Sequence, residues 1–182
     1  MKKVLVPLAP GFEEVEALTV VDILRRAGAE VTLAGTIDGP ITGRNKIKVL
    51  ADTGLDNAFP ADYDMIVLPG GAVGAENLKK DPRVKQAVER LNQKGRFVAA
   101  ICAAPAVLSA FGVLKGKTIT SHFSVRSELK TERISEGRVV TDGNIITSQG
   151  PGTAMEFAFK LVEALFGPEK AAEVNKGVLA RF

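Results

Sequence analysis

Short apolar runs and longer stretches with helical spacing alternate from one end of this chain to the other. Lys3-Val4-Leu5-Val6-Pro7-Leu8 reads as a first strand, and Pro10-Gly11 turns the chain. Glu13 to Ala27 then repeats apolar residues at the period of a helix, with Val15, Leu18, Val21, Ile23 and Leu24 forming the face expected to be buried. Arg25-Arg26 suit its C-terminal dipole and Gly28 stops it. Glu30 to Gly35 is a second strand, and Asp38 to Gly54 is less regular, with Ile41 and Ile47 to Leu50 predicting a short hairpin at an edge. Tyr63 to Leu68 is a buried strand running into Pro69-Gly70-Gly71.

Asp81-Pro82 starts a helix, the acid as N-cap and proline in the first helical position. Gly95 closes it, and Arg96 to Ile101 is the next strand. Lys117 to Ser121 predicts a strand with His122 at its end, followed by a short helix from Ser124 to Lys130. Arg138 to Thr141 and Ile145 to Ser148 flank Asp142-Gly143-Asn144, a hairpin turn. Thr153 with Glu156 predicts a capping box at the head of a helix bearing Phe157, Leu161 and Leu165. A last helix covers Glu169 to Leu179. Strands alternating with helices argue for a parallel sheet covered on both faces. Neither a repeat nor a linker divides residues 1–182, which read as one domain.

Composition narrows the classes. Hydrophobic residues make up 46% of the 182, enough for burial to drive folding, and the single cysteine excludes an intrachain disulfide framework. The formal charge is +3, its basic residues scattered singly or in pairs, so no nucleic-acid partner is expected. The apolar part of Met1 to Ala9 is too short for a signal peptide and acids follow it. Phe97 to Leu114 carries no charge but contains Pro105, and a buried strand plus a buried helix explains it better than a membrane span. A cytoplasmic protein is the expectation.

Candidate chemistry gathers at strand ends, where ligands bind in open α/β sheets. Cys102 stands where the run Phe97 to Ile101 meets Ala103-Ala104-Pro105-Ala106, a strand-to-helix corner. Free N–H groups at a helix start are expected to lower the thiol pKa and make the sulfur a nucleophile. The Gly70 and Gly71 amides, with that of Ala103, are candidate oxyanion donors. Glu16 falls on the helix face of Val20 and Ile23; a buried carboxyl there would stay protonated and could move a proton. Glu13 and Glu14 read as first-turn acids that favour the helix dipole. His122, the only histidine, is a candidate partner of the cysteine. One histidine and one cysteine cannot close a typical metal site, so neither metal nor cofactor is expected.

The segments Gly11-Phe12-Glu13-Glu14-Val15-Glu16, Val67-Leu68-Pro69-Gly70-Gly71, Ala99-Ala100-Ile101-Cys102-Ala103-Ala104-Pro105 and Thr147-Ser148-Gln149-Gly150-Pro151-Gly152-Thr153 together resemble the ThiJ/PfpI superfamily, in its DJ-one-like branch. The resemblance spans nearly the whole chain. It implies a flavodoxin-like three-layer α/β/α sandwich with a mostly parallel sheet, usually in a homodimer. It implies that Cys102 is the nucleophile, readily oxidised to a sulfinic acid, with Glu16 as its protonated partner. It also implies Gly70, Gly71 and Ala103 as backbone donors, His122 nearby, and Arg44 reaching the pocket to bind substrate. The activity implied is that of a glyoxalase III or protein deglycase, taking methylglyoxal, glyoxal or a glycated amine or thiol. The alternative is an oxidative-stress sensor or redox chaperone. The protease branch carries histidine immediately after its cysteine; Ala103 stands there in this chain, which argues against a peptidase.

Overall fold

A computed structural model describes all residues from Met1 to Phe182. Its centre is a seven-stranded sheet. In chain order the strands of that sheet are β1 (Lys3–Leu8), β2 (Glu30–Gly35), β5 (Thr53–Gly54), β6 (Met65–Leu68), β7 (Phe97–Ile101), β10 (Val139–Asp142) and β11 (Ile145–Ser148). They lie side by side as β10-β11-β7-β6-β1-β2-β5, every pair parallel except the β10–β11 hairpin. Two small sheets stand apart: the antiparallel hairpin β3 (Pro40–Thr42) with β4 (Lys48–Leu50), and β8 (Thr118–Ile119) with β9 (Arg133–Ile134).

The layers follow from the two-residue period of a strand. Val4, Val6 and Leu8 of β1, Met65 and Val67 of β6, and Ala99 and Ile101 of β7 join one core with α1 (Glu14–Arg26) and α6 (Ala154–Phe166). Their alternates, Leu5, Ile66, Leu68, Val98 and Ala100, join a second core on the other face, under α2 (Leu55–Ala58), α3 (Ala72–Lys80), α4 (Pro82–Gln93) and α5 (Pro105–Ala110). α7 (Pro168–Val178) packs outside α6, and no helix is long and apolar enough to cross a membrane. Cys102 belongs to the first core and Ala103 to the second, so the chain changes face at the sulfur.

Several sequence expectations need correction. Val15 and Leu18 are 50% and 37% exposed, because α1 lays Ala17, Val20, Val21, Ile23 and Leu24 on the core instead. Helix α3 was not anticipated; its glycine and alanine start hides the periodicity of Ala75 and Leu78. The strand expected over Lys117 to Ser121 is only β8, and His122 opens a 3₁₀ turn over Phe123–Glu128. The Thr153–Glu156 box does not form. Thr153 Oγ1 pairs with Ser148 Oγ at 2.6 Å and accepts from the Gly150 N–H at 3.1 Å, while Glu156 accepts from Arg138.

Candidate active site

The sulfur sits on a sharp corner. Cys102 has φ +65°, one of only three non-glycine residues with positive φ. A side chain held there costs on the order of 1–2 kcal/mol, a strain that must be opposed by its surroundings. Its N–H donates to the Ser148 carbonyl at 3.0 Å and its own carbonyl accepts from the His122 N–H at 2.9 Å. These bonds anchor the corner to β11 and to the segment after β8. The N–H groups of Gly71 and Ala103 are directed at the sulfur.

Two glycines make the approach possible. A Cβ on Gly70 would lie 2.6 Å from that of Cys102 and would strike the Glu16 carboxyl. Gly71 has φ +88°, and its Cβ would lie 2.7 Å from the Glu13 nitrogen and 2.9 Å from the Phe12 carbonyl carbon. The β6–α3 turn therefore presses against both the start of α1 and the sulfur corner.

Glu16 is fully buried, at 0% exposure, one turn into α1. Its Oε2 accepts from the Gly70 N–H at 2.8 Å, whereas Oε1 has no conventional hydrogen-bond partner. Burial raises its pKa to about 7, against lowering by the Cys102 thiol and the Gly70 N–H; Glu13 adds to the rise and Arg44 opposes it. The thiol is pushed up to about 12, first by burial, then by the Glu16 charge and its hydrogen bond, with the Gly71 and Ala103 N–H groups pulling down. The expectation of a thiol acidified by a helix start is thus corrected. α5 begins only at Pro105, and the sulfur is dry and beside an acid. The two groups titrate as a pair. While Glu16 is ionised the sulfur keeps its proton; a proton on Glu16 removes the part of the rise that its charge causes and leaves the part that burial causes.

The remaining candidates lie further out. Gly70 donates to Glu16 and not to the sulfur. His122 is half-buried; its Nδ1 lies 2.7 Å from Ser124 Oγ and accepts from the Ser124 N–H at 3.3 Å. With Nδ1 accepting that N–H, the ring hydrogen falls on Nε2, from which it can donate. Arg44 leaves the β3–β4 loop and meets Glu13 Oε2 at 3.6 Å. Glu13 and Glu14 are buried at the start of α1; Glu14 is a first-turn acid, as expected, and its carboxylate also accepts from the loop that carries Asn45. Two cavities hold the outer candidates, and Cys102 lines neither. One of about 400 Å³ is lined by Gly11, Gly43, Arg44, Lys46 and Ala72. The other, of about 460 Å³, has His122, Arg126, Arg138 and Gly150 in its wall. Sequence reasoning missed Ser148 and the Glu14–Asn45 contact. Nothing in their local pattern marks them, since both act through partners distant in the chain.

Comparison with known proteins agrees with this architecture. The sequence pattern of the DJ-1/PfpI family matches residues 2–164. Protein dj-1beta of Drosophila melanogaster is 42% identical over 184 residues, covering 100% of this chain and 98% of that one. Its crystal structure superposes with a TM-score of 0.96 at 41% identity, covering 100% and 99% of the two chains. Toxoplasma gondii DJ-1, solved in an oxidized form, gives 0.96 at 36% identity and full coverage of both chains. A Caenorhabditis elegans relative named glutathione-independent glyoxalase DJR-1.2 is 35% identical over 179 residues, covering 96% of this chain and 95% of that one.

Proposed function

The chain belongs to the DJ-1/PfpI family, and from that premise we propose that it is a cofactor-independent enzyme acting on small reactive dicarbonyls, converting methylglyoxal to lactate. The observation that carries the reading is Glu16, a fully buried acid with one oxygen on the Gly70 N–H and its carboxyl coupled to the only cysteine. The glyoxalase name of the Caenorhabditis elegans relative supports the substrate class.

The chemistry uses the shared proton. Glu16 accepts the thiol proton as sulfur attacks the aldehyde carbon; a C–S bond forms and the carbonyl electrons move to oxygen. The Gly71 and Ala103 N–H groups stabilise that oxyanion, a role supported by their direction toward the sulfur. A proton then leaves the former aldehyde carbon and another reaches the adjacent carbon, with Glu16 carrying protons between steps. One carbon is oxidised and its neighbour reduced, so no outside oxidant is needed. Water cleaves the resulting thioester to lactate and returns the thiol. His122 donates from Nε2 and Arg44 supplies positive charge toward the substrate oxygens. A hemithioacetal or aminocarbinol on a protein thiol or amine is a second substrate of the same chemistry.

Purified protein is expected to release lactate from methylglyoxal, and Cys102→Ala to abolish it. A Cys102→Ala protein as active as the parent overturns the mechanism. A second reading, a redox sensor, is favoured by the oxidized form of the Toxoplasma gondii relative. In it the protonated Glu16 donates to a Cys102 sulfinate. Mild peroxide should add two oxygens to the intact mass, and Cys102→Ser should prevent it; oxidation without dicarbonyl turnover would favour this role. The proposed partner is a second copy of the chain, seated on α1 where Val15 and Leu18 are exposed. Sedimentation should show a dimer that Val15→Asp weakens.

A further inference from the structure

Glu14 spends its whole carboxylate on one loop. Oε1 accepts from the backbone N–H of Asn45 at 2.8 Å and of Ile47 at 3.3 Å, and Oε2 accepts from Asn45 Nδ2 at 2.9 Å. The same Nδ2 reaches Glu13 Oε1 at 3.1 Å. There is no slack, since a Cβ on Gly43 would lie 2.8 Å from Glu14 Cγ. Burial alone would raise the Glu14 pKa, but its own backbone N–H, Asn45 and Ile47 outweigh that and hold it below the usual carboxylate range. One main-chain bond doubles the anchor, Arg44 N–H donating to the Phe12 carbonyl at 2.8 Å, while Gly43 N–H donates to the Ile47 carbonyl at 2.9 Å and closes the loop on itself.

Arg44 stands within this anchored loop. Its side chain is 62% exposed and touches Glu13 at 3.6 Å. An exposed pair of that kind contributes at most about 1 kcal/mol and costs side-chain entropy. Such a contact confines the arginine weakly; the fixed loop backbone keeps its Cα close enough for the contact to form. Behind it a relay of short bonds leads inward, from Glu13 N–H to the Gly70 carbonyl at 2.9 Å and from Gly70 N–H to Glu16 at 2.8 Å.

We propose that Glu14 and Asn45 are positioning residues that clamp residues 43–47 to the start of α1, so that the Arg44 charge stays beside Glu13 and within electrostatic reach of Glu16. The charged and titratable groups acting on Glu16 are Cys102, Glu13 and Arg44; Glu13 opposes its ionisation and Arg44 favours it. With the loop released, Arg44 moves away from the start of α1 and Glu13 loses its partner. Both changes leave Glu16 protonated to higher pH. The catalytic meaning of the clamp rests on the dicarbonyl reading above, but its test reads protonation and not turnover, so each can fail without the other.

The test is an infrared titration of the Glu16 carboxylic-acid C=O band in a Cys102→Ala background, with Glu16→Gln as the blank. Asn45→Ala and Arg44→Ala are each expected to raise the midpoint by about half a pH unit. The double variant should move no further than either single one, because both act through one charge. A clamp that merely stabilises the fold would lower the melting temperature and leave the midpoint alone; that outcome, or additive shifts in the double variant, overturns the proposal.

Discussion

The two sides of Cys102 are built differently. On the α1 side, Glu16, Gly70 and Gly71 are buried and joined by backbone bonds, with atoms so close that no methyl group fits. On the other side, His122 heads an exposed 3₁₀ turn, and its ring is held by Ser124 and lies beside the exposed ring of Phe123 at 4.2 Å. The first side sets where a proton sits, because a dry site makes each charge costly. The second can only offer a donor to whatever arrives. Chemistry that depends on protonation belongs in the rigid, water-free half, and substrate contact in the half that solvent and ligand can reach.

The sharpest way to break that contrast is to add one carbon to the buried side. Gly71→Ala forces a left-handed alanine against the backbone of Phe12 and Glu13, atoms that cannot swing away. A loss of about 3 kcal/mol or more is expected, a fall in melting temperature of roughly 6–12 °C by calorimetry. An unchanged melting curve would mean that the turn is soft.

Next in size is a pH effect. The folded Glu16 pKa is raised from 4.5 to about 7, so folding favours its protonated form. The associated stability is fully present below about pH 4.5 and is lost as pH rises through about 7, up to about 3 kcal/mol in all. Denaturant unfolding of Glu16→Gln should lack that decline between the two pH values. A decline equal to that of the parent would assign it to another group.

A smaller effect is expected at the β11 end of the sulfur corner. Thr153→Val removes a buried hydroxyl that pairs with Ser148 and Gly150, and should cost about 1–2 kcal/mol in unfolding free energy. The smallest change is predicted at His122. His122→Ala should alter stability by less than about 0.5 kcal/mol and act on KM, leaving the pH dependence of turnover in place. Loss of the limb near neutrality in that variant would move the proton-handling role across to the exposed side.

The layered order of the fold was legible from local pattern, because strands and helices impose their own periods whatever they later touch. The Asp81 cap illustrates this: its carboxylate accepts from the Arg83 N–H at 2.9 Å, three covalent neighbours deciding the outcome. The Thr153–Glu156 box failed for the opposite reason. Both side chains had better partners, Ser148 and Arg138, brought in by β11 and by the residue just ahead of β10. Val15 and Leu18 misled because apolar spacing on a helix does not say which apolar stripe meets the sheet.

Cys102 and Glu16 could be singled out one at a time, as a thiol at a strand end and an acid on an apolar face. Their coupling could not. It arises because α1 and β7 bring residues far apart in the chain into one dry space, closed by two glycines whose missing side chains admit a carboxyl and a sulfur. Residue type and spacing determined which groups have the chemistry. The tertiary structure decided which of them holds the proton, since a pKa is a property of solvent exclusion and neighbouring charge and not of the residue alone.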